Sequence, residues 1–283
     1  MLFSQLEWQL FTTSIRFYKK HHYWPNIRQP KTFSEKIQYR KFFQRHPLFE
    51  QCADKLAVRE YVATMVGETF LVPLLDVVDQ VEQLSFADYG DNFVVKANHD
   101  SGSVFLCQQG QYDAHKIAKK LAKKLAINSG RKRNEPWYSN IQPKILVEQL
   151  LLSSAQQLPE DYKFHVFNRP SGQTFFLQVD FDRHTQHGRC IYDENGQVTD
   201  ISLHKPSNNK PLPKIENFSE MVEIALKLAK PFDYVRVDLY NLDGQIYFGE
   251  LTFAHGSGFR KFTPQKYDKL WGNLWQLTAN PML

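Results

Sequence analysis

The feature that most constrains the fold is a pair of strand-like segments near the C-terminal end of the chain. The segments YVRVDLYN (234–241) and QIYFGELT (245–252) are rich in β-branched and aromatic residues. Between them lies Asp243-Gly244, a dipeptide typical of tight hairpin turns. The sequence therefore predicts an antiparallel hairpin at this position.

Side chains alternate between the two faces of a strand, so the same pattern predicts what each face carries. In the first strand one face is apolar, and the other holds Arg236, Asp238 and Tyr240. In the second strand, strict alternation places on one face Ile246, Phe248, Glu250 and Thr252.

The turn decides whether the polar residues of the two strands meet. A two-residue loop pairs position 238 with position 249 and separates Asp238 from Glu250. A three-residue loop, or a bulge with the same effect, pairs Asp238 with Glu250 and Arg236 with Thr252. We expect the second arrangement, because the first leaves acidic groups among apolar ones at a cost on the order of several kcal/mol each.

Two carboxylates side by side on neighbouring strands repel each other unless a cation lies between them. Mg²⁺ prefers such oxygen ligands, above all when substrate phosphates complete its coordination. A structural ion pair, in which Arg236 neutralises Asp238 or Glu250, explains the pattern equally well. The hairpin alone leaves both interpretations open.

Composition narrows the class of protein. Of 283 residues, 42% are hydrophobic, which is enough for a sizeable core. The net charge of +5 and the lack of aromatic-interleaved basic repeats do not indicate nucleic-acid binding. The three cysteines, Cys52, Cys107 and Cys190, form no CxxC pair, so we expect neither disulfides nor zinc, as in a reducing cytoplasm.

No apolar run reaches the roughly 20 residues that span a bilayer. The N-terminal 22 residues have apolar side chains at helical spacing, and we expect a helix packed on its own domain. A peripheral membrane helix is the alternative. A second helix, over 113–127, carries a face of lysines that is either solvated or a surface for an acidic polymer or membrane.

Helical and strand-like segments mix without strict βαβ alternation, so the fold class is α+β. Asn217 and Glu220 form a capping-box pattern before a helix. Segment 184–213 and the tail from His255 are predicted to be irregular. Further helices are predicted within 1–50 and over 54–66, and further strands over 92–97, 104–107, 145–151, 162–167 and 173–180. The strands over 92–97 and 104–107 flank a small polar loop and are predicted to form a hairpin.

The hairpin pattern Arg-x-Asp … Glu-x-Thr resembles the C-terminal lobe of the ATP-grasp superfamily. The closer resemblance is to the TupA-like ATP-grasp family, carried by PKTFSEKI (30–37), DKLAVREYV (54–62), VVKANHDSGS (94–103), DYKF (161–164) and RVDLY … IYFGELTF (236–253). This resemblance implies an ATP-grasp fold of two α+β lobes with ATP between them, preceded by a short helical segment. The implied divisions are residues 1–53, 54–147 and 148–283.

The resemblance also implies roles for individual residues. Lys55 and Lys96 reach ATP phosphates. The loop that closes over the phosphates comprises His99, Ser101, Gly102 and Ser103. The hinge that meets adenine comprises Glu148, Gln149 and Leu151. Asp161 stands where the family places a ribose-binding acid, and Lys163 in the same segment is also assigned to nucleotide binding. Arg183 contacts the transferred phosphoryl group, and Arg236 stabilises the oxyanion. The Mg²⁺ ligands are Asp238, Glu250 and Thr252, the last where the family more often has Asn.

The implied activity is an ADP-forming ligase that joins an amino acid or other amine to a uronic-acid carboxylate of a bacterial surface polysaccharide, through an acyl phosphate. Its substrates are ATP, with Mg²⁺, and a polymeric, nucleotide-linked or lipid-linked uronic acid, in the cytoplasm or at the inner face of the membrane. His99, His255 and Lys205 are candidates for proton transfer or acceptor binding. The alternatives are a sugar kinase, a non-catalytic polysaccharide-binding protein and a glycosyltransferase.

Overall fold

The computed structural model describes residues 4–181, 188–203 and 207–278. Its helices are α1 (Gln5–His21), α2 (Phe33–Phe43), α3 (Leu48–Ala53), α4 (Val58–Met65), α5 (Ala114–Leu125), α6 (Ser129–Arg133), α7 (Phe218–Ala229) and α8 (Lys266–Leu274). Its strands are β1 (Leu74–Val78), β2 (Phe93–Ala97), β3 (Val104–Cys107), β4 (Ile145–Gln149), β5 (Asp161–Arg169), β6 (Gly172–Phe181), β7 (Gly188–Tyr192), β8 (Ser202–Leu203), β9 (Tyr234–Leu242), β10 (Gln245–Thr252) and β11 (Phe262–Thr263).

The first lobe is built on a four-stranded antiparallel sheet in the order β1-β4-β2-β3. Strand β2 alternates buried and half-buried residues, and its Phe93 and Val95 are fully buried. Ile117 and Leu121 of helix α5 are buried in the same hydrophobic cluster as Phe93 and Val95, and the lysines of α5 lie on its outer side. The predicted hairpin of β2 and β3 around the polar loop is confirmed.

The second lobe is a five-stranded antiparallel sheet in the order β10-β9-β5-β6-β7, covered by α7. The central strands β5 and β9 are buried along most of their length, and the buried residues include charged ones, among them Lys163 on β5 and Arg236 and Asp238 on β9. Mixed helices and antiparallel sheets confirm the predicted α+β class. Strand β4 spans the predicted division between residues 147 and 148.

The N-terminal segment is helical, as predicted, and packs on the second lobe. Helix α2 begins with a capping box, in which Thr32 and Glu35 satisfy each other's backbone amides. Its Arg40 is fully buried and donates to the backbone carbonyls of Tyr234 and Phe253, at the base of the β9–β10 hairpin. This segment therefore holds the hairpin in place.

Three predictions of local structure were wrong. The segment predicted as loop contains β7 and β8, because an edge strand needs hydrogen bonds from only one neighbour and tolerates nearby glycine and proline. The tail predicted as irregular contains α8, whose Trp271 is fully buried against the core. Asn217 lies at φ 55° and donates its amide to the carbonyl of Gly244, so it does not cap α7 through its side chain.

Among the described residues, no helix is long and apolar enough to cross a membrane. All three cysteines are buried and free.

Candidate nucleotide and metal site

A bulge in β10 sets the register of the C-terminal hairpin. The turn has two residues, Asp243 (φ 52°) and Gly244 (φ 86°), a combination that suits the twist of paired strands. The register shifts between Phe248 and Glu250, so Glu250 lies opposite Asp238 and Thr252 opposite Arg236. The predicted pairing is confirmed, through the bulge and not through a longer loop.

The bulge also corrects the predicted faces of β10. Phe248 pairs with Leu239 on the apolar face, whereas Glu250 pairs with Asp238 on the polar face. The extra residue, Gly249, therefore reverses the alternation. A Cβ atom on Gly249 would lie 3.1 Å from the carbonyl oxygen of Asp238 and 3.2 Å from the Tyr240 ring, so glycine lets the bulge close.

The polar face carries a buried network of charges. The Arg236 Nε atom lies 2.6 Å from Asp238 Oδ1, and its Nη2 atom lies 2.7 Å from both Asp238 Oδ2 and Glu250 Oε1. On the neighbouring strand β5, the Lys163 ammonium lies 3.0 Å from both Asp238 Oδ2 and Asp161 Oδ1. Three carboxylates are thus held together by two cations.

The network shifts the pKa values of its members. Burial alone would raise the pKa of Asp238, but the charges of Arg236 and Lys163 outweigh it and hold that pKa below its usual range. Burial alone would lower the pKa of Lys163, but Asp238 and Asp161 outweigh it and raise that pKa. Both groups therefore remain charged at neutral pH.

The two interpretations of the hairpin are both visible in this geometry. The ion pair of Arg236 with both acids is present, and the two carboxylates also lie side by side. Their oxygens, with the Thr252 hydroxyl 3.1 Å from Glu250 Oε1, suit Mg²⁺ in ligand chemistry. Glu250 is the more accessible acid, with 39% of its side chain exposed. Within the described ranges, no cluster of three or more His, Cys, Asp or Glu side chains is arranged to hold a metal.

Lys55 belongs to the first lobe and lines a small cavity together with Glu250 of the second lobe. Its amide donates to the carbonyl of Asn98, and its ammonium donates to the carbonyl of Asp100 in the β2–β3 loop. Burial lowers its pKa most strongly and Lys96 lowers it further, whereas Glu250 of the second lobe opposes the shift. The residues that line this small cavity include Lys55, Tyr138, Gly249 and Glu250.

Lys96 lies on β2 and pairs with a residue predicted for another role. Its ammonium is 2.6 Å from Glu148 Oε2, and Arg59 lies 3.6 Å from the other oxygen. The pair spans adjacent strands, because Glu148 lies opposite Val94. Glu148, predicted to meet adenine, is therefore neutralised by a predicted phosphate ligand. Of the other two predicted hinge residues, Gln149 is exposed and Leu151 is buried.

The predicted phosphate loop has an exposed tip and a buried base. Ser101 and Gly102 are exposed, and Gly102 has a φ of 108° that favours glycine. At the base, the Asp100 carboxylate accepts from both the amide and the hydroxyl of Ser103. His99 is buried, with Nε2 3.3 Å from the carbonyl of Lys124. Asp100 was not among the predicted site residues, and no sequence signal distinguished it from the rest of the loop.

His255 lies beside Arg236, and its tautomer follows from their contact. Arginine only donates, so His255 Nδ1, 2.8 Å from Arg236 Nη1, accepts that hydrogen bond and Nε2 carries the proton. Burial and the Arg236 charge lower the pKa of His255 well below its usual value, so the ring is neutral. The ring is 7% exposed, and Nε2 has no partner among the described residues.

Tyr138 is a second residue that the sequence did not single out. It lines the cavity with Lys55 and Glu250, and burial raises the pKa of its hydroxyl. Only its place in the fold brings it to the site. Two predicted residues, Arg183 and Lys205, lie outside the described residues.

Comparison with known proteins identifies the family to which this chain belongs. No curated protein sequence matches the chain. Among solved structures, it is similar to a D-alanine–D-alanine ligase from Bacillus anthracis complexed with ATP (19% identity, 72% of this chain and 54% of that one, TM-score 0.40). It is also similar to a D-alanine–D-alanine ligase from Helicobacter pylori (15% identity, 73% and 55%, TM-score 0.44) and to a D-cycloserine synthetase (14% identity, 81% and 72%, TM-score 0.42).

The chain spans about half the length of the two D-alanine–D-alanine ligases. The sequence profile described as TupA-like ATPgrasp matches residues 35–276, which is most of the chain and includes both lobes. This protein therefore belongs to the TupA-like ATP-grasp family and has the ATP-grasp fold.

Proposed function

We propose that this protein is an ATP-dependent carboxylate–amine ligase. The observation that carries the proposal is the meeting of Lys55 from the first lobe with Glu250 from the β9–β10 hairpin at one cavity. Arg236 is ion-paired with Glu250, which lines that cavity, and the charge of a second lysine, Lys96, acts on Lys55. Positive groups and carboxylates gathered between two lobes suit the transfer of a phosphoryl group.

The reaction joins three substrates in two displacements. An acceptor carboxylate oxygen attacks the γ-phosphorus of ATP, the bond to the β-phosphate oxygen breaks, and ADP leaves. An amine nitrogen then attacks the carbonyl carbon of the acyl phosphate, phosphate departs, and the amine loses its proton. Each displacement places negative charge on oxygen, which Lys55, Lys96 and Arg236 would stabilise. No covalent bond to the protein is required.

Bound Mg²⁺ would neutralise charge on the phosphates. Asp238 and Glu250 are the residues that would hold it, with Thr252 beside them. Arg236 bridges these two carboxylates, and its guanidinium would stabilise negative charge that develops on the reacting carboxylate.

Both lysines already have partners, and phosphates would replace them. Lys96 is paired with Glu148, and Lys55 donates to the carbonyl of Asp100. A phosphate oxygen is a charged acceptor, and a charge-assisted hydrogen bond is about twice as strong as a neutral one. ATP binding would therefore draw Lys55 away from the loop carbonyl and free that loop to close.

For the acceptor we propose a uronic-acid carboxylate of a bacterial surface polysaccharide, in the cytoplasm or at the inner face of the membrane. For the amine we propose an amino acid. The family resemblance supports this assignment. The neutral His255, whose Nδ1 accepts from Arg236 and whose Nε2–H has no partner among the described residues, supports a carboxylate as the group recognised.

The test is to incubate the protein with Mg·ATP, an oligogalacturonate and a panel of amino acids. We expect phosphate release that requires both the sugar and one amino acid, and a product heavier by that amino acid less one water in mass spectrometry. ADP formation with the sugar alone, with phosphate retained on the sugar, would indicate a kinase and overturn the ligase. Absence of Mg·ATP binding in calorimetry would overturn both.

A conservative substitution tests the metal assignment. Glu250→Gln keeps the shape of the side chain and removes its charge, so we expect a loss of about 3 kcal/mol of transition-state stabilisation, about a hundredfold in kcat. Glu223→Gln, an exposed acid on α7, is the matched control and should retain full activity. Unchanged turnover in Glu250→Gln would remove Glu250 from the site.

A further inference from the structure

Helix α1 presents an unusual outer face. Its inner face buries Leu10 and Phe17. Its outer face, with the loop that follows, exposes four aromatic side chains, which we name the aromatic strip: Trp8 (57% exposed), Phe11 (45%), Tyr18 (50%) and Trp24 (56%). Contiguous exposed apolar surface of this kind marks an interaction site more often than chance.

The rings of the aromatic strip form one connected surface. Ring centroids lie 6.1 Å apart for Trp8 and Phe11, 6.5 Å for Phe11 and Trp24, and 6.2 Å for Tyr18 and Trp24. All three pairs are tilted, not stacked face to face, so each ring keeps part of its surface open to solvent. Tryptophan and tyrosine combine an apolar body with a polar edge, and they concentrate where apolar material meets water.

A basic stripe borders the aromatic strip. At 100° per residue, Arg16, Lys19 and Lys20 fall on the adjoining side of α1, and all three are exposed. The acidic Glu7 is neutralised by Arg28. Residues 4–29 therefore carry a net charge of +3. An apolar aromatic stripe beside a cationic one is the pattern of a helix that lies in a membrane interface.

The geometry and the charge discriminate among occupants. A saccharide or other small ligand needs a concave site with polar groups that converge on it, and a helix face is convex. A second copy of this chain would bring two +3 segments together, and they would repel each other. A flat, anionic surface complements both the shape and the charge. We propose that the aromatic strip docks this protein on anionic lipid headgroups.

Two contacts of α1 link this surface to the candidate site. His21 Nε2 lies 3.1 Å from the carbonyl oxygen of Gly258, and the Arg16 guanidinium lies 4.1 Å from the centre of the Phe259 ring. Both partners belong to the loop that follows the β9–β10 hairpin and begins with His255. Docking through the strip would therefore hold that loop close to the lipid surface.

Intrinsic fluorescence can test the proposal directly. Of the five tryptophans, Trp8 and Trp24 are exposed, whereas Trp137, Trp271 and Trp275 are buried. We expect vesicles of equal phosphatidylcholine and phosphatidylglycerol to shield the two exposed rings from acrylamide and to sediment the protein. Vesicles of phosphatidylcholine alone should do neither, and added salt should release the protein.

Paired variants of the full chain separate the strip from charge in general. Trp8→Ser/Trp24→Ser should abolish sedimentation, with an unchanged circular dichroism spectrum as the check on folding. Lys19→Gln/Lys20→Gln should weaken the partition coefficient about twenty-five-fold, at about fivefold per lysine. The matched control, Lys119→Gln/Lys123→Gln on the outer face of α5, should bind as the wild type does.

Four results would overturn the proposal, and none depends on catalytic activity. The first is no binding to anionic vesicles. The second is loss of binding in the α5 variant but not in the α1 variant. The third is shielding of Trp8 and Trp24 by polygalacturonate and not by vesicles, which would assign the strip to the acceptor. The fourth is a dimer that dissociates in Trp8→Ser/Trp24→Ser without any vesicle binding.

Discussion

Replacing Arg40 with methionine tests how the N-terminal segment supports the candidate site. Arg40 Nη1 lies 2.9 Å from the carbonyl oxygens of both Tyr234 and Phe253, its Nε lies 2.7 Å from Gln44 Oε1, and its remaining nitrogen pairs with Asp233. Tyr234 begins β9 and Phe253 directly follows β10. The substitution therefore removes the clamp at the base of the hairpin that carries the charged network.

The size of the destabilisation follows from the Asp233 charge that stays buried after the substitution. The Asp233 side chain is 2% exposed, and without Arg40 its charge is buried without a cation. Breaking a buried pair in this way costs about 3–5 kcal/mol. Asp233 keeps hydrogen bonds from the amides of Tyr234 and Thr278, which favours the lower part of that range. We expect Arg40→Met to lower the free energy of unfolding by about 3 kcal/mol, whereas the whole free energy of unfolding of a typical protein is about 5–15 kcal/mol.

The pH dependence provides an independent check. Burial would raise the pKa of Asp233, but the Arg40 charge outweighs it and keeps that pKa below its usual value. The resulting stability is present above the unfolded-state pKa and is lost as pH falls through the folded-state pKa. In Arg40→Met the pKa of Asp233 should rise instead, and protonation should then relieve the buried charge. The difference between variant and wild type should therefore shrink between about pH 7 and about pH 4.

Equilibrium unfolding in urea at these two pH values measures both effects. Arg131→Met, at an exposed position on α6, is the control for loss of a positive charge. Asp233→Asn combined with Arg40→Met should recover part of the loss at neutral pH. A loss below about 1 kcal/mol, or one that does not shrink at low pH, would refute the reasoning.

Three further predictions concern the tail and the site. Burial raises the pKa of Asp268 to about 6, so wild-type stability should fall as pH rises from about 4 to about 6, and Asp268→Asn should flatten this slope in urea titrations. A Cβ on Gly272 would lie 2.2 Å from the carbonyl oxygen of Lys31, so Gly272→Ala should cost about 1–3 kcal/mol, whereas the exposed Asn273→Ala should not; equal melting temperatures would contradict this. His255→Phe removes a hydrogen-bond donor, so kcat/KM for the acceptor should fall about 10–100-fold. An equal loss of ATP affinity would place His255 at the nucleotide and not at the acceptor carboxylate.

The comparison of prediction with structure is clearest at β10. Alternation in the sequence indicated a polar and an apolar face, and the need to keep Asp238 and Glu250 together selected the pairing that the structure shows. The same alternation misplaced Phe248, because one unpaired residue reverses the faces. A bulge depends on the contact between Gly249 and the opposite strand, which the spacing of residues in one strand does not record.

The sequence also did not predict the ion pairs and hydrogen bonds between residues that are far apart in the chain. Lys96 and Glu148 were each assigned to ATP, yet they pair across β2 and β4 at 2.6 Å. Asp100 received no role, although its carbonyl accepts from Lys55. Such partners lie more than 40 residues apart in the chain, so no local pattern joins them. Helix α8 was missed for the same reason, since its stability comes from Trp271 in the core rather than from helical propensity.

By itself the sequence determined the α+β class, the β9–β10 hairpin with its polar face, the β2–β3 hairpin and the family resemblance. These features arise from the periodicity of neighbouring residues and from turn chemistry, which act over a few positions. Only the tertiary structure decided that Arg236 bridges Asp238 and Glu250, that Lys55 meets Glu250 at one cavity, and that the rings of α1 remain uncovered. The Arg236 bridge depends on which side chains the folded hairpin buries together, whereas Lys55 and Glu250 come from distant parts of the chain and meet only when the lobes pack.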